Sequence, residues 1–105
     1  MNTKEMLIKA RARIEKPEQW IQDHMALNVM GFFEEDPQLA VCHCMLGAIK
    51  AVTPQSYSYS PLYNALSNVT TAKYNIASIV EFNDTPGRTH AEVLEVFDIA
   101  IAEAS

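Results

Sequence analysis

The chain has 105 residues, a hydrophobic share of 49% and a charged share of 20%, which excludes a disordered chain and allows one domain with its own core. Its net charge of −5 argues against direct nucleic-acid binding, which needs clustered Lys and Arg to displace counterions from phosphates. That charge is uneven. Residues 1–16 hold five basic against two acidic residues, a balance of +3, and the rest hold three against eleven, a balance of −8.

The opening segment Met1–Glu5 carries no apolar run of leader length, and no segment approaches the roughly 20 apolar residues of a membrane span. A cytoplasmic protein that does not engage membranes is expected. Cys42 and Cys44 are too few and too close for a disulfide framework and read as reduced thiols.

Thr3 can cap a first helix running to about Lys16, with Met6, Leu7, Ala10 and Ile14 on one stripe. Pro17 interrupts the chain. Residues 18–37 are rich in apolar side chains without a clean period and read as irregular or extended structure, with room for a short strand pair. From Gln38 to Val52 the chain is apolar almost all round, as in a buried central helix. On that helix only His43 and Lys50 break the pattern, His43 partly exposed, and Gly47 points to a close backbone approach.

The stretch from Thr53 to Ser60 is a loop, and Ser60-Pro61 opens a third helix to about Lys73. Asn75 can cap a short fourth helix to about Phe82. The turn residues of 83–88 lead into Thr89-His90-Ala91-Glu92, a capping box that starts a last helix over about 90–104. The expected architecture is all-α: a compact single domain, 1–105, of four to five helices around the buried 38–52 helix, with the last helix packed against it.

Three constellations bear on chemistry. Cys42-His43-Cys44 has ligand types that zinc prefers, but on a helix Cys42 and Cys44 diverge, and no second ligand pair completes a tetrahedron. No metal site and no cofactor is expected, and thiol catalysis would need a base and an orienting group that the spacing does not supply. The densest polar group is Asn83, Asp84, Arg88, Thr89 and His90, where Arg88 beside a helix N-terminus is a candidate anion or nucleotide clamp, with hydrolysis as an extension. Capping and turn formation account for much of the same group. On the last helix Glu92, Glu95 and Glu103 share a side, with Ile99 among them, so that face is a candidate partner surface or the seat of the basic first helix. Trp20, Phe32, Phe33, Tyr57, Tyr59 and Tyr63 are expected to close over the core, with a stacking or partner-binding surface as the alternative.

The tract Ala40–Ala48 with its Cys-x-Cys, the run Ile79–Val93 containing Asn-Asp-x-Pro-Gly-Arg-Thr, and Trp20-Ile21-Gln22 together resemble an uncharacterised family of small bacterial and phage proteins with a domain of unknown function. His43 stands where that pattern would carry a bulkier or apolar residue. The resemblance implies a compact domain and an accessory or anti-defence setting, and brings no catalytic residue. With no complete catalytic set, the leading reading is a non-enzymatic protein that binds a protein partner or forms a homo-oligomer; the alternative is a small-anion or nucleotide-binding protein built on the Arg88 loop.

Overall fold

Asn2, not Thr3, caps the first helix: its side chain accepts from the Glu5 amide at 2.8 Å, and α1 runs Thr3–Arg13. In the computed structural model, which describes residues 2–104, α1 buries Met6, Leu7 and Ala10, and Ile14 follows them into the core. A single turn of 3₁₀-helix, Pro17–Gln19, then redirects the chain.

The segment 20–44 departs most from a helical reading. Strand β1, Ala26–Leu27, pairs antiparallel with β2, Cys42–His43, in the register Ala26 opposite His43 and Leu27 opposite Cys42. Phe33 bridges Leu27 from the other side, and Trp20 runs parallel beside His43. The domain is therefore mostly helical with a small two-stranded sheet, and not all-α.

The expected 38–52 helix is cut to α2, Met45–Val52. Residues Pro37–Leu39 form a 3₁₀ turn, and 42–43 are extended because their backbone groups serve neighbouring strands: the Ile21 amide donates to His43 O at 3.1 Å, and the Cys44 amide to Met25 O at 3.1 Å. An apolar run without polar interruption has no period, so it fits a buried strand as well as a buried helix. His43 is consequently not partly exposed on a helix face; it is 1% exposed, inside the sheet junction.

Helix α3 spans Ser60–Tyr74 with Pro61 in its first turn, and its end is set by Asn75 in the left-handed region at φ 59°. Asn75 thus closes α3, and Ser78 caps the next helix, α4, Ile79–Asp84, by accepting from the Glu81 amide at 3.2 Å. Helix α5, His90–Glu103, starts at the expected capping box. Helix α2 packs on α1, α3 and α4, while α5 leans chiefly on α1 and α3 and not on the central helix as expected. Between them Phe82, Phe97, Leu7, Ile14, Met45, Ile49, Leu62 and Leu66 form one continuous core.

Helix α2 and the strand segment meet at Gly47. A Cβ there would overlap the carbonyl oxygen of Met25, the same oxygen that accepts from Cys44. Backbone, not a flexible side chain, is in the way. Gly47→Ala is therefore expected to cost about 2 kcal/mol and lower the melting temperature by about 10 °C, despite the better helix propensity of alanine. Thermal unfolding followed by circular dichroism measures this; an unchanged melting temperature would refute the close approach.

Candidate functional site

The polar residues 83–90 do converge, and they converge on one another. Asn83, with no solvent exposure, sits near the end of α4 and uses its whole amide. Its Oδ1 accepts from Trp20 Nε1 at 2.7 Å and from the Met45 amide at 3.1 Å. Its Nδ2 donates to Ile21 O at 3.0 Å and to Asp84 Oδ1 at 2.8 Å. Asp84 also accepts from the amide of Asp23, whose φ of 69° makes it one of two non-glycine residues with a left-handed backbone among those described. Gln22 donates from Nε2 to the carbonyls of Asn83 and Thr85 at 3.0 and 2.9 Å. The whole cluster straps the 20–23 segment to the end of α4.

Arg88 is held by stacking and two polar contacts. Gly87, at φ +84°, turns the chain so that the Arg88 amide donates to Thr85 O at 3.0 Å. The guanidinium lies 3.9 Å from the Phe82 ring centre and 4.7 Å from that of Tyr74. Its Nε donates to Phe82 O at 3.0 Å and its Nη1 lies 3.4 Å from a Glu92 carboxylate oxygen, leaving a side chain only 9% exposed. The Thr89 amide holds the Glu92 carboxyl below the usual carboxylate range, with Arg88 contributing. His90 closes the group: its Nε2 donates to Ile14 O at 2.6 Å, and its ring stands 6.1 Å from that of Trp20. Asn83, Asp84, Arg88, Thr89 and His90 thus form a clamp that fastens chain segments to one another, with the Asn83 amide filled and the Arg88 guanidinium stacked on Phe82 and Tyr74 and only 9% exposed.

The acidic side of α5 is divided. Glu92 belongs to the capping box and Glu95 is paired with Lys73 of α3. Ile99 is half-buried against the core, and Glu103 lies at the rim of a shallow cleft of about 360 Å³. The basic first helix meets α5 through a different acid: Arg11 Nε donates to Asp98 at 2.6 Å. Glu92, Glu95, Ile99 and Glu103 therefore do not make one free surface.

At Cys42-His43-Cys44 the three side chains go separate ways. Cys42 Sγ donates to Glu18 O at 3.3 Å, and Cys44 Sγ caps α2 by accepting from the Gly47 amide at 3.4 Å. Burial pushes the Cys44 thiol up, which keeps it protonated and a poor nucleophile. His43 Nε2 lies 2.6 Å from Pro37 O, which can only accept, so the ring proton is on Nε2 and the buried Nδ1 has no partner. Among the described residues no three His, Cys, Asp or Glu side chains are grouped as metal ligands.

A largely apolar surface, of which the sequence offered Phe32 and Phe33 only as the less favoured reading, lies between residues 29 and 41. Of the nine large apolar side chains exposed among the described residues, six are here: Val29, Met30, Phe32, Phe33, Leu39 and Val41. Val29 is 82% exposed, Met30 74% and Phe32 68%. The tip is ordered locally. Asn28 Oδ1 accepts from the Met30 and Phe32 amides at 2.9 and 3.1 Å, the Asn28 amide donates to Phe32 O at 2.8 Å, and Gly31 takes φ +84°. A turn that satisfies its own backbone has no need of a core beneath it, and so can hold its side chains out. Phe32 and Phe33 do not close over the core as expected, and neither does Tyr57, 70% exposed; Trp20, Tyr59 and Tyr63 are packed partly against it. Beside this lip an open cleft of about 560 Å³ runs between Glu35, Asp36 and the Tyr57–Tyr59 loop. The signal available in sequence was Asn28 and Gly31 flanking Val29-Met30, which marks a turn.

Two outcomes follow from this geometry. Asn83→Asp keeps the acceptor but loses both donated bonds and sets a second carboxylate beside Asp84, and is expected to cost about 3 kcal/mol in urea denaturation; a loss within measurement error would remove Asn83 from its central place. His43 is held below its ordinary pKa of 6.5, first by burial and further by Arg13, against the opposing pull of its bond to Pro37. The unfolded chain therefore binds the proton more tightly, so this stability is present above pH 6.5 and lost as pH falls below it. Denaturation midpoints should fall below pH 6.5 in the native chain and fall less steeply in His43→Leu; identical slopes would refute the assignment.

No helix of the described residues is long and apolar enough to cross a membrane. Comparison with curated proteins and with solved structures returns no match. A family model covers residues 1–103, the span that holds the Asn83 clamp, the Gly47 junction and the apolar lip. The chain belongs to DUF6197, a family of unknown function.

Proposed function

We propose that the protein is a non-enzymatic interaction module that engages a protein partner, or a second copy of itself, through the lip at 29–41. The observation that supports this is the concentration of exposed apolar side chains on a tip whose backbone is already satisfied. Apolar surface held out from a core that has no use for it gains free energy only by being covered by something else. Ordered aromatic and methionine side chains lose little conformational freedom on docking, which suits them as anchors. On this reading the partner surface consists of Val29, Met30, Phe32 and Phe33 in preference to the acids of α5. A phage-type accessory or anti-defence role is compatible with this reading, since binding without turnover suffices to block a host protein.

Site-specific photo-crosslinking tests the reading. A benzophenone amino acid at Phe32 is expected to give a discrete adduct of higher mass on irradiation in the native cell, well above the yield from exposed Thr71 on α3. Equal yields from the two positions would overturn it.

A further inference from the structure

We infer that the occupant of the lip is a second copy of this chain, presenting the basic face of its α1. This rests on the lip being an interaction surface, and adds what covers it. The lip is apolar and acidic together: Phe32 and Phe33 run directly into Glu34, Glu35 and Asp36. Its complement must be apolar and basic, and the chain carries such a surface. Helix α1 holds Lys4, Lys9, Arg11 and Arg13 against one acid, Glu5, while the chain beyond residue 16 is strongly acidic.

Arg11 is taken up by Asp98, but among the described residues no acid lies within ion-pair distance of Lys4 or Lys9. Between them stands Ile8, 48% exposed, with exposed Ala12 one turn on. An Ile8–Ala12 stripe bordered by Lys4 and Lys9, with Glu5 beside them and Glu15 taken up by Arg11, offers what the Phe32–Asp36 segment lacks, apolar contact at the centre and a net positive rim. Arg13 Nη1 donates to Gln38 O at 3.2 Å and so sets the C-terminal end of α1 beside the 36–41 strap. Complementary patches carried on one chain can be satisfied reciprocally about a two-fold axis, each copy's lip on the other's helix, which closes the assembly at two.

The test is the mass in solution by sedimentation equilibrium. The native chain is expected to rise with concentration from 11.7 kDa toward twice that value, and to fall back as ionic strength increases. Phe32→Glu should weaken association at least about tenfold. Glu34→Lys with Glu35→Lys should also weaken it, and adding Lys4→Glu and Lys9→Glu in the same chain should restore it. All five positions lie outside the core, and matched thermal unfolding of each variant confirms that folding is unaffected. A monomer at about 1 mM protein, or association indifferent to the charge reversals, would overturn the inference. A crosslink from Phe32 to a different protein would overturn it too, while leaving the interaction surface itself standing.

Discussion

The fold turns on one buried side-chain amide. Asn83 fills all four of its hydrogen-bonding positions, and the partners come from three separate stretches of chain: Trp20 and Ile21, Met45 at the start of α2, and Asp84 beside it. The first two of those stretches share no helix and no strand pair with α4. Without the amide they would be left with an indole N–H, a backbone amide and a carbonyl facing the interior unpaired, each costing about 1–3 kcal/mol. A carboxamide is the side chain that offers two donors and two acceptor sites in one plane. It joins an irregular segment to a helical core where regular secondary structure has no means of doing so.

Around that point the neighbouring residues take architectural parts. Arg88 caps the apolar face of Phe82 and ties back to its carbonyl, and His90 reaches across to the end of α1. Gly47 lets the carbonyl of Met25 lie against α2, which seats the short sheet on the helices. The motif that looks most like a ligand site in sequence is thus the place where the segment 20–44 is fastened down. Fastening it has a consequence at the far end. With residues 20–27 and 41–44 held, the turn between them projects, and its apolar side chains are left uncovered by the described residues.

His43 fastens the C-terminal side of that projection. Its neutral ring holds the carbonyl of Pro37, and so the 3₁₀ turn that leads from the acids 34–36 to Leu39 and Val41. Protonation would place a charge in a site that burial and Arg13 both make unfavourable. The sheet junction and the lip are therefore linked through one imidazole, although the lip's own turn is held independently by Asn28.

Much was legible without coordinates. Capping chemistry is local, so Thr89 with Glu92 marks the start of α5 and Pro61 the start of α3; the stripe Met6, Leu7, Ala10, Ile14 marks the buried side of α1; Gly47 signals a close approach. The caps rest on interactions spanning four residues or fewer, and the stripe on a period that survives in one dimension. Local pattern fails where partners lie far apart along the chain. Residues 38–44 have the apolarity of a helix, and only the pairing of 41–44 with 25–27 and Ile21 makes that stretch extended. Arg88 reads as a free cation until Phe82, Tyr74 and Glu92 are seen around it, and the acids of α5 read as one face until Lys73 and Asp98 divide the ion pairs. Whether Phe32 and Phe33 cover the core or stand away from it depends on how far the core extends, which no local pattern encodes. Helices and turns are thus written in neighbouring residues. Which polar groups are satisfied internally, and which apolar ones are left over, is set only when distant segments meet.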